Sequence, residues 1–325
     1  MEKVTMADVA KVAGVSKSTV SQYLNKRFEY MGGKTKLKIE EAIEELGYQP
    51  NFIARSLKQK RTSMVGIIVA NITHYFSTEV SRAIEDFFHT HDLHAIVCNA
   101  DDDPEKEKKY IEMLRAKQVD GLIIFPTGQN NDLYKSMVKQ GYPVVFVDRK
   151  VENLEVFSII TDNTDSTYNA VQHLIDKGHQ NIAFIVQPLQ VSTRIDRLAG
   201  YKQALTDADL EVNPDFIIEA SIPEMKSKLE QLFSLEVKPT AIFAANDRVL
   251  LVVMEYLKEK GIKLGKELEL IVFDNIPFAH LLEAPISFII QPATDMGKKA
   301  AELLFQQINQ ENTPPEVFVF PSRLL

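Results

Sequence analysis

The 325-residue chain contains a single cysteine, Cys98. One thiol excludes an internal disulfide and suits a reducing compartment, and Cys98 is expected as a buried strand residue. No apolar run reaches the roughly 20 residues of a membrane span. The opening "MEKVTMADVAKVAGV" has neither an unbroken apolar stretch nor a cleavage site, so no secretory signal is expected. Motifs for chemistry are also missing. No GxSxG, HExxH or GxGxxG context appears, which leaves no nucleophile or cofactor site. "GGKT" at 32–35 echoes a phosphate loop, but Phe28 stands where that loop needs glycine and no strand leads in. His89, His91 and His94 lack the acid or thiol that would complete a four-ligand metal set. These absences argue against an enzyme, a cofactor and a metal.

What is present is ordinary in amount and uneven in placement. The chain is 45% hydrophobic and 25% charged, and its length allows two or three domains. Its net charge of −8 divides into +5 over residues 1–61 and −13 over the rest. A basic head on an acidic body is the layout of a chain that directs one end at a polyanion.

The head reads as three short helices. Thr5 with Asp8 caps the first, which buries Val9, Ala10 and Ala13. Gly14 permits a sharp turn, Val15 plugs the joint and Ser16 caps the second helix. Val20 and Leu24 point inward there, leaving Lys17, Ser18, Ser21 and Gln22 outside. Small hydroxyls, an amide and one cation are side chains that hydrogen-bond base edges and phosphates. A third helix, "KTKLKIEEAIEELG", is expected to bury Leu37, Ile39, Ala42, Ile43 and Leu46. Two helices about a glycine turn, braced by a third, form a helix-turn-helix. After Pro50, "FIARSLK" is a helix of two turns, too short to be stable alone in water. It is therefore a candidate folding switch.

From Met64 onward, short Val/Ile-rich runs alternate with helical stretches at 75–90, 104–117, 194–208 and 247–260. The runs fall into two sets, one from "MVGIIVA" to "FSIIT" and another from "IAFIVQ" to "LELIVFD". That pattern predicts an α/β body of two doubly wound parallel-sheet lobes. Ligands in such folds bind beyond the carboxyl ends of strands. Those ends are polar here, at Asn71, Asn99 with Asp101, Thr127, Asp148-Arg149, Gln187, Asn246-Asp247 and Asp274-Asn275. Paired acids and amides suit vicinal hydroxyls, and Tyr75, Phe76 and Phe273 supply aromatic walls. Arg194 lies one helical turn before Arg197, a placement that predicts a clamp for a carboxylate.

"VTMADVAKVAGVSKSTVSQYLN", "LGYQPNFIARSL" and "VDGLIIFP" stand in the order of the signatures of LacI/GalR bacterial repressors. The chain resembles that family over its whole length. It departs at Gln22, where arginine is usual, and at Met31-Gly32, where a Val-Ser pair is usual and the turn is one residue shorter. The resemblance implies a DNA-binding domain at 1–50, a hinge helix and linker at 51–62, and a two-lobed effector-binding and dimerisation domain at 63–325. DNA contacts are expected at Thr5, Ser16, Lys17, Ser18, Thr19, Ser21, Gln22 and Asn25, and at Asn51, Ala54, Arg55 and Leu57 of the hinge. In the family, effector contacts fall at the matches of Asp148, Arg197, Asn246 and Asp274. Asn71, Tyr75, Phe76, Asp101, Arg149, Arg194 and Gln291 complete the expected effector site.

The implied protein is a cytoplasmic, nucleoid-associated homodimer on a pseudo-palindromic operator, controlled by a sugar or sugar acid and using no cofactor. Its hinge helices would occupy the minor groove, where Leu57 wedges between base pairs. The tail "FPSRLL" carries no heptads, which points to a dimer and not a tetramer. Within the family the chain most resembles repressors of 2-keto-3-deoxygluconate use. Both polarities, release and co-repression, fit these residues. A transport or sensing protein with the same sugar-binding body is the alternative, and the basic head weighs against it.

Overall fold

The computed structural model describes residues 4–29, 31–49, 61–282, 285–311 and 313–325. The chain forms two compact units, Met1–Thr62 and Ser63–Leu325.

The first unit holds three helices, α1 (Met6–Val12), α2 (Lys17–Leu24) and α3 (Gly33–Leu46). The Asp8 carboxylate accepts from the Thr5 backbone N–H at 2.9 Å and from its hydroxyl at 2.7 Å, which fixes the start of α1. Gly14 takes the left-handed φ of +66° that turns α1 into α2. Val9, Ala10, Ala13, Val20, Ile39, Ala42 and Tyr48 make the small core. Leu37 is not part of it. It is 58% exposed, against the expectation from sequence. The buried stripe of α3 runs through Ile39, Ala42, Ile43 and Leu46, and Leu37 sits two residues, or about 200°, away from Ile39.

The second unit contains two six-stranded sheets. The first has the order β11-β5-β4-β3-β1-β2 and is parallel throughout. Its strands are β1 (Met64–Val69), β2 (His94–Asn99), β3 (Gly121–Ile124), β4 (Val144–Val147), β5 (Phe157–Thr161) and β11 (Val317–Phe320). The second has the order β12-β10-β9-β8-β6-β7. It comprises β6 (Ile182–Val186), β7 (Ile217–Glu219), β8 (Ala241–Ala244), β9 (Glu269–Phe273), β10 (Ile286–Ile290) and the antiparallel β12 (Arg323–Leu324). β10, β11 and β12 are not among the strands expected from sequence.

Helices cover both faces, as parallel strands require. In chain order they are α4 (Tyr75–Thr90), α5 (Pro104–Ala116), α6 (Asn131–Lys139), α7 (Asn163–Asp176), α8 (Ser192–Asp207), α9 (Ile222–Ser234), α10 (Asp247–Lys260) and α11 (Ala293–Ile308). Although α11 follows β10 of the second lobe, its Met296, Ala300 and Leu304 are buried in the core of the first. Conversely, Ala170 and Leu174 of α7 belong to the second lobe's core. The chain thus crosses between lobes three times, after Thr161, after Ile290 and after Phe320. Thr161 and Gln291 are hydrogen-bonded to each other across two of these crossings. Cys98 is a buried residue of β2.

Candidate functional site

Two sites emerge, one in each unit. On α2, Ser16 spends its hydroxyl as a cap, accepting from the Thr19 backbone N–H at 3.2 Å and contacting the hydroxyls of Ser18 and Thr19 at 2.6 and 2.8 Å. Asn25 closes the same helix by donating to the Ser21 carbonyl at 2.6 Å. Lys17, Ser18 and Gln22 are exposed, and Thr19 and Ser21 are half-buried. The outward face is therefore one cation, one hydroxyl and one amide, flanked by residues already used for capping. Asn51, Ala54, Arg55 and Leu57 lie outside the described residues.

The second site lies between the lobes of the body. β4 and β9 occupy corresponding places in the two sheets, and each ends in an aspartate with a left-handed backbone. Asp148 has φ +72° and Asp274 has φ +79°. Such positions cost about 1–3 kcal/mol and persist only where neighbours enforce them. Here the enforcing bonds are matched too, because Asp148 N–H donates to the Ile159 carbonyl and Asp274 N–H to that of Ile289, at 2.8 and 2.9 Å. Arg197 of α8 is buried between the two carboxylates. Its guanidinium lies 3.5 Å over the Phe273 ring and 3.9 Å from Asp274, and it donates to Asn163 Oδ1 at 2.8 Å and to the Ala245 carbonyl at 2.6 Å. Phe273, expected as an aromatic wall, is fully buried beneath this cation.

Burial pushes the Asp274 carboxyl up to about 6; Arg197 opposes the shift and Asp247 adds to it. Gln291 donates to the same carboxylate, which ties the site to the crossing after Ile290. Asn246 caps α10 by accepting from the Val249 N–H at 2.9 Å and donates to Gln187 at 2.9 Å.

The lobes are fastened directly across the cleft. Asp102, a residue that sequence reasoning passed over, receives Arg149 of its own lobe and Arg194 of the other, each at 2.7 Å. Burial alone would raise the Asp102 carboxyl, but the two guanidinium groups more than offset it and bring it down to about 2. Arg194 also donates to the Pro188 carbonyl at 3.0 Å. It is on the cleft face as expected, yet its guanidinium serves Asp102 and not a waiting carboxylate. A second fastening joins Asp247 of α10 to His74, and to the Tyr75 backbone N–H at 2.9 Å. His74 carried no signal of its own in the sequence.

Three chambers follow one another along the cleft. A chamber of about 230 Å³ beside the crossing after Ile290 is walled by Tyr75, Phe76, Asp274 and Gln291. A middle one of about 40 Å³ is walled by Phe76, Asp148, Arg149, Arg194, Arg197, Asn246 and Asp274. An outer one of about 290 Å³ begins at Arg149. The structure thus brings together most of the expected effector residues but leaves two in local loops. Asn71 accepts from the Thr73 backbone and hydroxyl at 2.9 and 2.6 Å, and exposed Asp101 pairs with Lys106 and Asn99.

Residues 5–51 match the family model for bacterial regulatory proteins of the lacI family, and residues 62–325 match that for periplasmic binding proteins and the sugar-binding domain of the LacI family. The chain belongs to the LacI family. It is a transcriptional regulator and not an enzyme, with that family's sugar-binding domain as its body. It is 47% identical over 315 residues to the probable HTH-type transcriptional regulator EndR of Paenibacillus polymyxa, covering 96% of this chain and 93% of that one. The HTH-type transcriptional regulator KdgR of Bacillus subtilis is 30% identical over 325 residues, covering 99% and 96%. Among solved structures, the lac repressor dimer bound to operator and the anti-inducer ONPF superposes with a TM-score of 0.85 at 26% identity, covering 100% and 98%.

Proposed function

We propose that this LacI-family regulator represses transcription as a homodimer on a pseudo-palindromic operator, working at the nucleoid in the cytoplasm. In this reading α2 enters the major groove, with Lys17, Ser18 and Gln22 toward the bases and Thr5, Ser16, Thr19, Ser21 and Asn25 toward the backbone. The hinge residues Asn51, Ala54, Arg55 and Leu57 take the minor groove. The effector is a sugar held between the lobes, and its hydroxyls are received by Asp148, Asp274 and Arg197.

The arrangement that carries the sugar reading is this pair of matched aspartates around one arginine. A vicinal diol can donate its two O–H groups to one such carboxylate and accept from the guanidinium. The cleft favours a neutral sugar over a sugar acid such as 2-keto-3-deoxygluconate. Its three buried arginines face four aspartates (Asp102, Asp148, Asp247 and Asp274), and each arginine already has an acidic neighbour. A further carboxylate would enter a site where anions already outnumber arginines.

Selection of bound duplexes from random DNA tests the operator half of this reading. The expected product is a palindrome with two half-sites related by the dimer axis. Recovery of sequences without that symmetry would remove it. Thermal melting with glucose, galactose and 2-keto-3-deoxygluconate tests the sugar half, with stabilisation expected only from neutral sugars.

A further inference from the structure

A chamber larger than any of the three in the cleft lies at the other end of the second lobe. It holds about 610 Å³, within the roughly 300–1,000 Å³ typical of small-molecule sites. It opens where β8 and β9 begin, beside Thr240 and Leu268, and where α9 and α10 end, at Ser234 and Lys260. The cleft lies beyond the opposite ends of the same strands, at Asn246 and Asp274. α10 runs between the two, and its 14 residues at about 1.5 Å each span roughly 21 Å. The chamber shares no lining residue with the cleft.

Its floor is apolar and aromatic. The rings of Phe233 and Tyr256 stand 5.4 Å apart at an angle of 35°, with Ile262 and Leu268 packed in the same core. Such a floor accepts a further ring in offset or edge-on contact. Tyr256 is 2% exposed, yet its hydroxyl makes no hydrogen bond with the described residues. Buried hydroxyls are nearly always paired, so an unpaired one beside a chamber points to a partner that the fold itself does not supply. Burial and the Glu230 carboxylate push this phenol up, which keeps it protonated and able to donate.

The rim carries two lysines and two glutamates, and three of these four are engaged. The Lys260 ammonium stands 5.5 Å over the Tyr256 ring and 3.5 Å from Glu230, at the end of α10, where a helix favours a cation. Glu267 accepts from the Lys263 backbone N–H at 2.8 Å. Lys238, in the loop before β8, forms no ion pair or hydrogen bond with the described residues. The groups left over are thus an ammonium and a phenolic O–H, both donors, and one carboxylate can accept from both. Glu230 and Glu267 weigh against an anion of higher charge, such as a phosphate.

We propose that this chamber is a second ligand site, separate from the cleft, that binds an aromatic monocarboxylate. The ring lies against Phe233 and Tyr256, and Lys238 and the Tyr256 hydroxyl receive the carboxylate. The site stands whether or not the cleft holds a sugar.

Ligand-observed NMR titration of the full-length protein with 2-naphthoate, 2-naphthalenemethanol and acetate tests the proposal. Naphthoate should bind with a Kd of about 1 mM or tighter and about tenfold more tightly than the uncharged alcohol, while acetate, which has no ring, should not bind. Lys238→Glu should weaken naphthoate about tenfold or more and leave the alcohol within about twofold of wild type, which also shows that the variant is folded. Tyr256→Phe should weaken naphthoate as well, and Arg197→Ala, in the cleft, should bind it as wild type does. Equal affinity for naphthoate and the alcohol, or no binding of naphthoate, overturns the site. Naphthoate binding lost in Arg197→Ala but kept in Lys238→Glu places the carboxylate in the cleft and overturns it too. If naphthoate does not bind while Lys238→Glu changes the sedimentation coefficient of the free protein, the chamber belongs to a second copy of the chain and not to a small molecule.

Discussion

Replacing Asp102 with asparagine tests whether the cleft is held closed by charge. The carboxylate lies between Arg149 and Arg194 at 2.7 Å from each, so the substitution removes the only acid that touches cations of both lobes among the described cleft residues. A carboxyl brought from 3.8 to about 2 represents roughly 2.5 kcal/mol of stability at pH 7, at about 1.36 kcal/mol per pKa unit. The sign follows from the direction of the shift. The contribution is present above about pH 4 and disappears as pH falls through 2. Breaking a buried pair by removing one partner costs about 3–5 kcal/mol in comparable settings, because the remaining charges stay buried. Asp102 is itself 24% exposed on its side chain, so the lower figure is the better guide. At roughly 2–4 °C per kcal/mol for a unit of this size, Asp102→Asn should melt about 5–10 °C lower at pH 7. Small-angle scattering should also show a larger radius of gyration without ligand, because the lobes part. An unchanged melting temperature together with an unchanged scattering profile would refute the fastening.

Gln22→Ala should relax operator preference more than it lowers non-specific affinity, since a bidentate contact to adenine is worth about 1–3 kcal/mol of discrimination; site selection that returns the wild-type sequence refutes the contact. Asp274 titrates in the opposite sense to Asp102. Its carboxyl is raised to about 6, so its ionisation costs stability that is lost as pH rises from about 4 to 6, in total roughly 3 kcal/mol. Unliganded Asp274→Asn should accordingly exceed wild type in urea resistance at pH 7, with the gap closing by pH 4; a gap independent of pH contradicts this. Gly200→Ala should destabilise the second lobe by about 1–3 kcal/mol or more, measured by urea midpoint. The added Cβ would stand 2.2 Å from the Thr164 carbonyl oxygen, where backbone of α7 cannot yield as a side chain can. An unchanged midpoint would show that the two helices can separate cheaply.

Much of this architecture is legible in the sequence because parallel strands buried on both faces read as unbroken apolar runs with polar ends. That is how Asp148, Asn246 and Asp274 stand out. Short strands without that contrast do not. "ISFII" and "VFVF" lie between prolines, the first just before a crossing between lobes and the second between two crossings, so nothing local says which sheet each joins. Leu37 stays exposed because its angle around α3, and not its apolar character, decides its burial. The sequence reading picks Asp101 among three identical neighbours with nothing local to guide it, and the structure puts Asp102 on the cleft instead. Asp103 caps α5 by accepting from Glu105 and Lys106, Asp101 pairs with Lys106, and Asp102 alone faces the cleft arginines. Arg194 lines the same chamber as Arg197, but what occupies its guanidinium depends on a residue 92 positions away in the chain.

The central claim is that a sugar held by Arg197 between the two lobes controls operator binding by the head. Fluorescence anisotropy with the selected operator duplex measures this directly, for wild type and Arg197→Ala, titrated with the neutral sugar that stabilises the protein most. Wild-type operator affinity should change tenfold or more on saturation, whereas Arg197→Ala should bind operator as unliganded wild type does and show no response to the sugar. A wild-type operator affinity that stays constant while the sugar demonstrably saturates the cleft would contradict the account.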